Sequence, residues 1–215
     1  MDCTLQNKLS MIKHDIVKHT EKNPIAIVME MMHKNYINIH GPEHHYLDGA
    51  AFATALKNAG CEFNLDECLN ELENRALKMP GAMCAHWGMC GSTASVAAVL
   101  SIIHRTSPLS TDEYYKDHME FTSEVLSQMS KIGGARCCKR NAFLSLSYGI
   151  KFVKEKYGIE METGDIHCGF SSQNKQCLGN KCPFFQIGLC KKLYRLLPIY
   201  LTDDTFKPHF AGLGC

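Results

Sequence analysis

The chain has 215 residues, of which 45% are apolar and 21% are charged. These values are ordinary for a globular protein and exclude a disordered or fibrous chain. Because 23 Lys and Arg residues face 22 Asp and Glu residues, the net charge is +1, and no basic surplus indicates nucleic-acid binding. The unusual feature is a content of 12 Cys and 11 His, which is the main indication of function.

The sequence predicts a cytoplasmic protein without a membrane partner. Its first residues, MDCTLQNKLSMIKHDIVKHTEK, are polar and contain no apolar signal segment. The longest apolar run, residues 92–103, is shorter than the roughly 20 residues that span a bilayer. In a reducing compartment, many cysteines indicate metal ligation or thiol chemistry more than disulfides.

Hydrophobic periodicity predicts a mainly α-helical fold, a single domain over residues 1–215, and no stretch alternates with the period of a strand. The first two predicted helices are residues 4–20 and residues 24–34, the second after an Asn23 cap. Asp48 is expected to cap a third helix that ends at Gly60, and Asp66 a fourth that stops before Pro80. The last three are residues 91–105, a helix from a capping box of Ser110 and Glu113 to Lys131, and residues 138–157.

Residues 160–190 form an irregular, cysteine-rich region near the C-terminus. A loop of this length inside a compact domain needs something to order it, so we expect a metal-binding or cluster-binding loop. Its cysteines follow the spacing C-x8-C-x4-C with a fourth eight residues later: Cys168, Cys177, Cys182 and Cys190. The absence of a C-x2-C pair and the Cys182-Pro183 dipeptide favour an iron–sulfur cluster over zinc. The alternative is a set of free core cysteines.

The segment GGARCCKR, residues 133–140, places two cysteines at the start of a helix. Free amide groups and the helix dipole favour a thiolate there, so Cys137 and Cys138 are candidate metal ligands or reactive thiols. The neighbouring basic residues are candidate anion-binding groups: Arg136, Lys139 and Arg140. The alternative is a solvated basic helix start with incidental cysteines.

The segment CAHWGMCGS, residues 84–92, carries two further cysteines and leads into a small-residue helix. Cys90 precedes the helix, where its pKa would be lowered, and is a candidate nucleophile. Cys84 is a candidate metal ligand. The alternative is that this helix entry serves packing alone.

The segment HGPEHH, residues 40–45, crowds a carboxylate and imidazoles after a Gly-Pro turn. Glu43, His44 and His45 are therefore candidate proton carriers near neutral pH, and the histidines are alternatively metal ligands. The alternative, that these histidines serve only the structure of the protein, is about equally expected.

Together these four segments resemble an uncharacterised family, a domain of unknown function found alone or fused to methyltransferase domains that use S-adenosylmethionine, largely in anaerobic bacteria and archaea. The resemblance covers roughly residues 30–185, and RCCKR and C-x4-CPFF are its most specific parts. It implies a Cys/His site without an assigned reaction. The chain departs from the pattern at His86-Trp87-Gly88, and it contains no glycine-rich motif for that cofactor, so a methyltransferase partner would be a separate protein.

The leading hypothesis is an enzyme built around a [4Fe–4S] cluster. Three ligands would be Cys168, Cys177 and Cys182, and the fourth would be Cys137, Cys138, Cys190 or a substrate atom on an open iron. Such a centre suits sulfur transfer, desulfuration or lyase chemistry on a small anionic or sulfur-containing substrate. In this hypothesis, His44, His45 and Glu43 transfer protons. Arg136, Lys139 and Arg140 bind the anionic group of the substrate, and Cys90 is the nucleophile.

Two alternatives belong to other functional classes. One is a non-catalytic metal module that carries electrons to a redox partner or holds zinc to stabilise a docking surface. The other is a thiol redox or metal sensor in which Cys137 and Cys138 change state, with a resolving thiol from elsewhere because adjacent cysteines form a strained bridge.

Overall fold

The computed structural model describes residues 4–185, and within that range it contains helices, loops and no β-strand. The elements are α1 (Leu5–Ile16), α2 (Pro24–Met31), α3 (His44–Asn58), α4 (Leu65–Ala76), α5 (Met83–His86), α6 (Gly91–Ile103), α7 (Glu113–Ile132), α8 (Cys138–Tyr157) and a 3-10 turn (Gly179–Lys181). The prediction of a mainly helical single domain is confirmed. No described helix combines the length and apolar character needed to cross a membrane.

The first two helices begin where their capping residues predict. The Thr4 hydroxyl caps α1, whose Leu9, Ile12 and Ile16 are fully buried along one face. The Asn23 side chain accepts the first free amides of α2, and Pro24 occupies the first helical position.

The third helix begins five residues earlier than the Asp48 cap predicted, at His44. The Gly41-Pro42 turn already directs the chain into helical geometry, since Glu43 has φ −58° and ψ −26°. Asp48 therefore lies in the second turn of α3 and is fully buried.

Two other predicted caps are wrong because a neighbouring side chain takes their place. Asn64, not Asp66, caps α4 by accepting the amide of Glu67. Asp112 caps α7. The Ser110 hydroxyl instead accepts the amide of Ser107 at 2.9 Å, so the predicted capping box does not form.

The centre of the fold is α3, which is buried from His44 through Leu56 and contacts α1, α2, α4, α6 and α8. Glycines allow its closest contacts. The Gly49 amide donates to the Ser95 hydroxyl of α6 at 2.9 Å, and a Cβ at Gly149 of α8 would lie 2.8 Å from the Phe52 ring. At the amino ends, the His45 ring of α3 packs on Gly91 of α6, and the Asn141 side chain of α8 donates to the Cys90 sulfur just before α6.

The left-handed Gly158 ends α8, and the chain then returns over the helices as a loop, residues 159–185. The Glu162 amide donates to the Lys22 carbonyl at 3.2 Å, and an isolated bridge joins Cys168 to Phe185. The loop thereby covers the start of α8.

Candidate functional site

Four cysteines from two distant segments line one cavity between the start of α8 and the C-terminal loop: Cys137, Cys168, Cys177 and Cys182. Apolar side chains complete much of its wall, including Phe170, Leu178 and Phe184. The two cysteine clusters that the sequence analysis treated separately therefore converge. We refer to this place as the four-cysteine cavity.

Each thiol of the four-cysteine cavity accepts a backbone amide from a residue two or three positions later. The pairs are Arg140 to Cys137 at 3.5 Å, Gly179 to Cys177 at 3.4 Å, Phe170 to Cys168 and Phe184 to Cys182. Amide donors stabilise the thiolate form, and hydrogen bonds to ligating sulfurs tune metal–thiolate centres. The backbone is thus arranged around four potential thiolates.

Burial and mutual repulsion both oppose negative charge on the thiols of the cavity. Burial raises the pKa values of the Cys168 and Cys182 thiols, and the charges of the neighbouring cysteines raise them further. The Arg140 charge opposes this effect at Cys182 by lowering its pKa. A bound cation or cluster would remove the mutual repulsion of the thiolates.

The sulfurs of the cavity are spread more widely than a single zinc ion requires. Zn–S bonds of about 2.3 Å place the sulfurs of a tetrahedral site roughly 3.8 Å apart. Within residues 4–185, the one group of three or more donors that all lie within 4.8 Å of one another is the peripheral set His19, Glu21 and Glu30. The four sulfurs are therefore not gathered as closely as the ligands of one zinc ion.

The structure separates the candidates for the fourth ligand position. Cys137 lines the four-cysteine cavity, whereas the adjacent Cys138 thiol accepts the Gly41 amide and is buried, which raises its pKa to about 12. Cys84 lies half-buried on α5 and is not part of the cavity wall. Cys190 lies outside the described residues.

The basic residues around the cavity differ in their availability. The Arg140 guanidinium donates to the Ala135 carbonyl at 3.0 Å and to the Asn141 side chain at 3.4 Å, and only 6% of the residue is exposed. Arg136 is exposed. Of the two arginines predicted to bind an anion, Arg136 is the one whose position leaves it open to solvent.

Lys139 connects the four-cysteine cavity with the histidines of α3. It lines the cavity, where its ammonium lies 5.0 Å from the Phe170 ring centre. It also donates to the Asn38 carbonyl at 2.9 Å and lies 3.2 Å from His44 Nε2. Burial lowers the Lys139 pKa to about 8.

Glu43 and His45 make contacts in the interior of the protein. Glu43 accepts the Asn38 amide at 2.8 Å and lies 3.6 Å from the Lys8 ammonium, so it fastens the loop ahead of α3. The His45 ring packs directly on Gly91, where a Cβ would be 2.1 Å away, and its burial lowers its pKa. Both side chains are buried.

Two buried polar residues at this site were missed from the sequence. The Asn174 amide donates to Cys137 Sγ at 3.5 Å, and its oxygen lies 3.1 Å from His40. Asp48 lies one turn after His44 on α3. The i,i+4 spacing of His44 and Asp48 was the available signal for that pair, since residues four apart share a helix face.

A helical protein with a cysteine-lined cavity between its last helix and a C-terminal loop is the class that the fold and site define. The chain belongs to DUF5714, a family of unknown function whose family model matches residues 12–185. That range contains every segment of the site described above. No curated protein and no solved structure matched the chain.

Proposed function

We propose that this protein is an iron–sulfur protein that binds a [4Fe–4S] cluster through Cys137, Cys168, Cys177 and Cys182. The observation that carries the proposal is the convergence of these four thiols on one cavity, each with a backbone amide directed at its sulfur. Soft thiolate ligands are those that iron–sulfur clusters take in proteins.

Two features favour the cluster over zinc. No three of the four sulfurs lie within 4.8 Å of one another, whereas the ligands around one zinc ion lie closer together. The cavity wall is also rich in apolar side chains, and such surroundings, together with hydrogen bonds to sulfur, set the potential of a cluster. Zinc that stabilises the loop is the alternative cofactor.

When bound, the cluster supplies one-electron transfer. A fourth thiolate from Cys137 leaves no iron free for substrate, which favours an electron carrier over an enzyme. The four cysteines are only half-buried, and three of them belong to the surface loop, so a redox partner can approach. A separately encoded methyltransferase is one partner consistent with the family resemblance.

The enzymatic version remains a second candidate because buried polar groups adjoin the cavity. Sulfur transfer, desulfuration or elimination on a small anionic substrate would use His44 and Lys139 as proton carriers and Arg136 as the anion-binding group. This version needs an iron without a protein ligand. In it, Cys90 would act as the nucleophile. The expectation of a lowered pKa for this thiol was wrong, because Cys90 is buried before α6 and burial raises its pKa.

Two adjacent cysteines provide the sharpest test of the ligand assignment. We expect Cys137→Ala to lose most of its iron and its visible absorbance after anaerobic purification, because it removes a ligand. Cys138→Ala should retain both, since Cys138 is not part of the cavity wall and its thiol accepts the Gly41 amide. Cys61→Ala, in a loop before α4, is the control for a cysteine outside the site. Full cluster retention in Cys137→Ala with loss in Cys138→Ala would overturn the assignment.

Cyanide distinguishes the carrier from the enzyme. If every iron of the cluster has its full set of ligands, cyanide does not change the electron paramagnetic resonance signal of the reduced protein. An open iron binds cyanide, and the signal then shifts. We expect no shift in the wild-type protein and a shift in any Cys137→Ala protein that keeps part of its cluster.

A further inference from the structure

A buried lysine forms part of the wall of the four-cysteine cavity. Lys139 lines this cavity, and only 1% of the residue is exposed. Its ammonium lies 5.0 Å from the centre of the Phe170 ring, which lines the same cavity. Lysine is rarely buried this deeply unless its charge is compensated. The position of the ammonium at this wall therefore calls for a compensating group.

No carboxylate compensates the Lys139 ammonium directly. None of the ion pairs within residues 4–185 includes this lysine. Its polar contacts are a carbonyl and an imidazole: Nζ donates to the Asn38 carbonyl at 2.9 Å and lies 3.2 Å from His44 Nε2. These acceptors use the donor hydrogens of the ammonium and fix its position, but they leave its charge in place.

A buried carboxylate lies on the other side of the His44 ring. Asp48 is fully buried one turn later on α3, and its Oδ1 lies 3.6 Å from His44 Nδ1. Lys139 lines the four-cysteine cavity, whereas His44 and Asp48 do not. The imidazole therefore separates the two buried charges, and it is the positive one that belongs to the cavity wall.

The centre that four thiolates form with a metal is an anion. The charge of four thiolates outweighs that of one zinc ion or of a [4Fe–4S] core, so either centre is negatively charged. A cluster becomes more negative when it takes up an electron. Net charge and hydrogen bonding around a cluster are among the properties that set its reduction potential. The Lys139 ammonium thus has the sign of charge that either centre needs beside it.

We propose that the Lys139 ammonium is the counter-charge of the anionic metal–thiolate centre in the four-cysteine cavity and that, when the centre is a cluster, it raises the reduction potential. The inference rests on the proposed function, since it needs a metal–thiolate centre in the cavity. A nearby positive charge stabilises the reduced, more negative cluster more than the oxidised one. Burial strengthens the effect, because water and salt screen a buried charge much less than an exposed one.

The test is a redox titration of the full-length protein at pH 7, with dithionite as the reductant and the electron paramagnetic resonance signal as the readout. Lys139→Met removes the charge and keeps an unbranched side chain. We expect its reduction potential to fall by at least about 59 mV, which is a tenfold change in the ratio of reduced to oxidised cluster. Lys175→Met is the matched control, because it removes an exposed charge next to Asn174 of the cavity wall, and its shift should be much smaller.

The two variants separate this inference from the proposed function. If both proteins hold the cluster and Lys139→Met shifts the potential no more than Lys175→Met does, the inference is overturned and the cluster stands. Circular dichroism shows whether Lys139→Met folds. If it does not, Lys139→Gln takes its place, since its side-chain amide can still donate to the Asn38 carbonyl.

Zinc in place of iron and sulfide would overturn the proposed cluster and would still test the role of Lys139. A zinc–thiolate centre is also anionic, so Lys139→Met should then bind zinc at least tenfold more weakly than Lys175→Met, measured by competition with EDTA. Equal zinc affinities of the two variants would overturn the inference. A wild-type protein that binds neither zinc nor a cluster at the four cysteines would overturn both proposals.

Discussion

The helical body, residues 4–157, and the C-terminal loop, residues 159–185, are held together by different means. The body buries a continuous apolar core, whereas the loop contributes only Met161 and Phe170 to the buried apolar residues. Helices also bond their own amides, while the loop has one isolated bridge and a few turns. The comparison teaches that apolar burial holds the body together, whereas the loop has little of it, and we expect the loop to depend on a group that its cysteines bind.

The four-cysteine cavity lies at the boundary of these two regions. Cys137 belongs to the start of α8, and the other three cysteines belong to the loop. Cofactor occupancy and loop order are therefore expected to be coupled, with the helical body as the fixed partner.

The largest effect that would test this contrast is loss of loop order in Cys182→Ala. Hydrogen exchange at the amides of Cys168, Cys177 and Cys182, which donate to loop carbonyls, should rise toward the rate of an unfolded peptide. Amides in the middle of α3 should remain protected. Cys61→Ala should leave the loop amides protected, and retained protection in Cys182→Ala would contradict the coupling.

The complementary change weakens the body. Phe52 is fully buried on α3, and Phe52→Ala should lower the free energy of unfolding by about 3–5 kcal/mol. Urea denaturation followed by circular dichroism measures the loss, with the 90% exposed Leu109 changed to alanine as a near-neutral control. The same loss in metal-free and metal-loaded protein would support a body that is stable on its own. A loss confined to the loaded protein would not.

A smaller effect measures how strongly the two regions contact each other. The rings of Phe143 on α8 and Phe184 in the loop meet edge to face, with centroids 5.4 Å apart. A double-mutant cycle of Phe143→Leu and Phe184→Leu should give a coupling energy of about 0.5–1.5 kcal/mol in loaded protein. Coupling near zero in the loaded form would mean that the loop does not rest on α8 as described.

The smallest expected effect is a pH dependence that belongs to the body alone. Burial lowers the pKa values of His104 and His118, whose stacked rings lie 5.6 Å apart, and the charges facing them are Asp112, Asp117 and Arg75. A lowered pKa means that the unfolded chain takes up protons first, so stability should fall as the pH drops below about 6.5.

The measurement for this pH effect is urea unfolding across that range. A His104→Gln, His118→Gln protein should lose less stability on acidification than the wild-type protein. Equal slopes for the two proteins would assign the acid sensitivity to other groups.

Most of the helical body could be predicted because its residues carry local signals. The Asn23-Pro24 start and the Gly158 stop act within one turn of the chain, and the structure places both as expected. The errors arose where two capping residues compete. Asp48 resembled a cap, but the preceding Gly-Pro turn starts α3 earlier and carries that carboxylate into the interior.

The candidate site was only partly predictable. Spacing identified Cys168, Cys177 and Cys182 as a group, but the choice between Cys137 and Cys138 was beyond the sequence. Cys137 is the extended residue that caps α8 and Cys138 is its first helical residue, and which of the two meets the loop is decided by how α8 packs on α3. The same tertiary contact hides Asp48 beside His44.

Iron and acid-labile sulfide analysis of the wild-type protein, purified without oxygen, tests the central claim most directly. The account predicts about four iron and four sulfide per chain, with broad absorbance in the visible range from thiolate-bound iron. Zinc without sulfide at Cys137, Cys168, Cys177 and Cys182 would contradict it and make the four-cysteine cavity a structural zinc site.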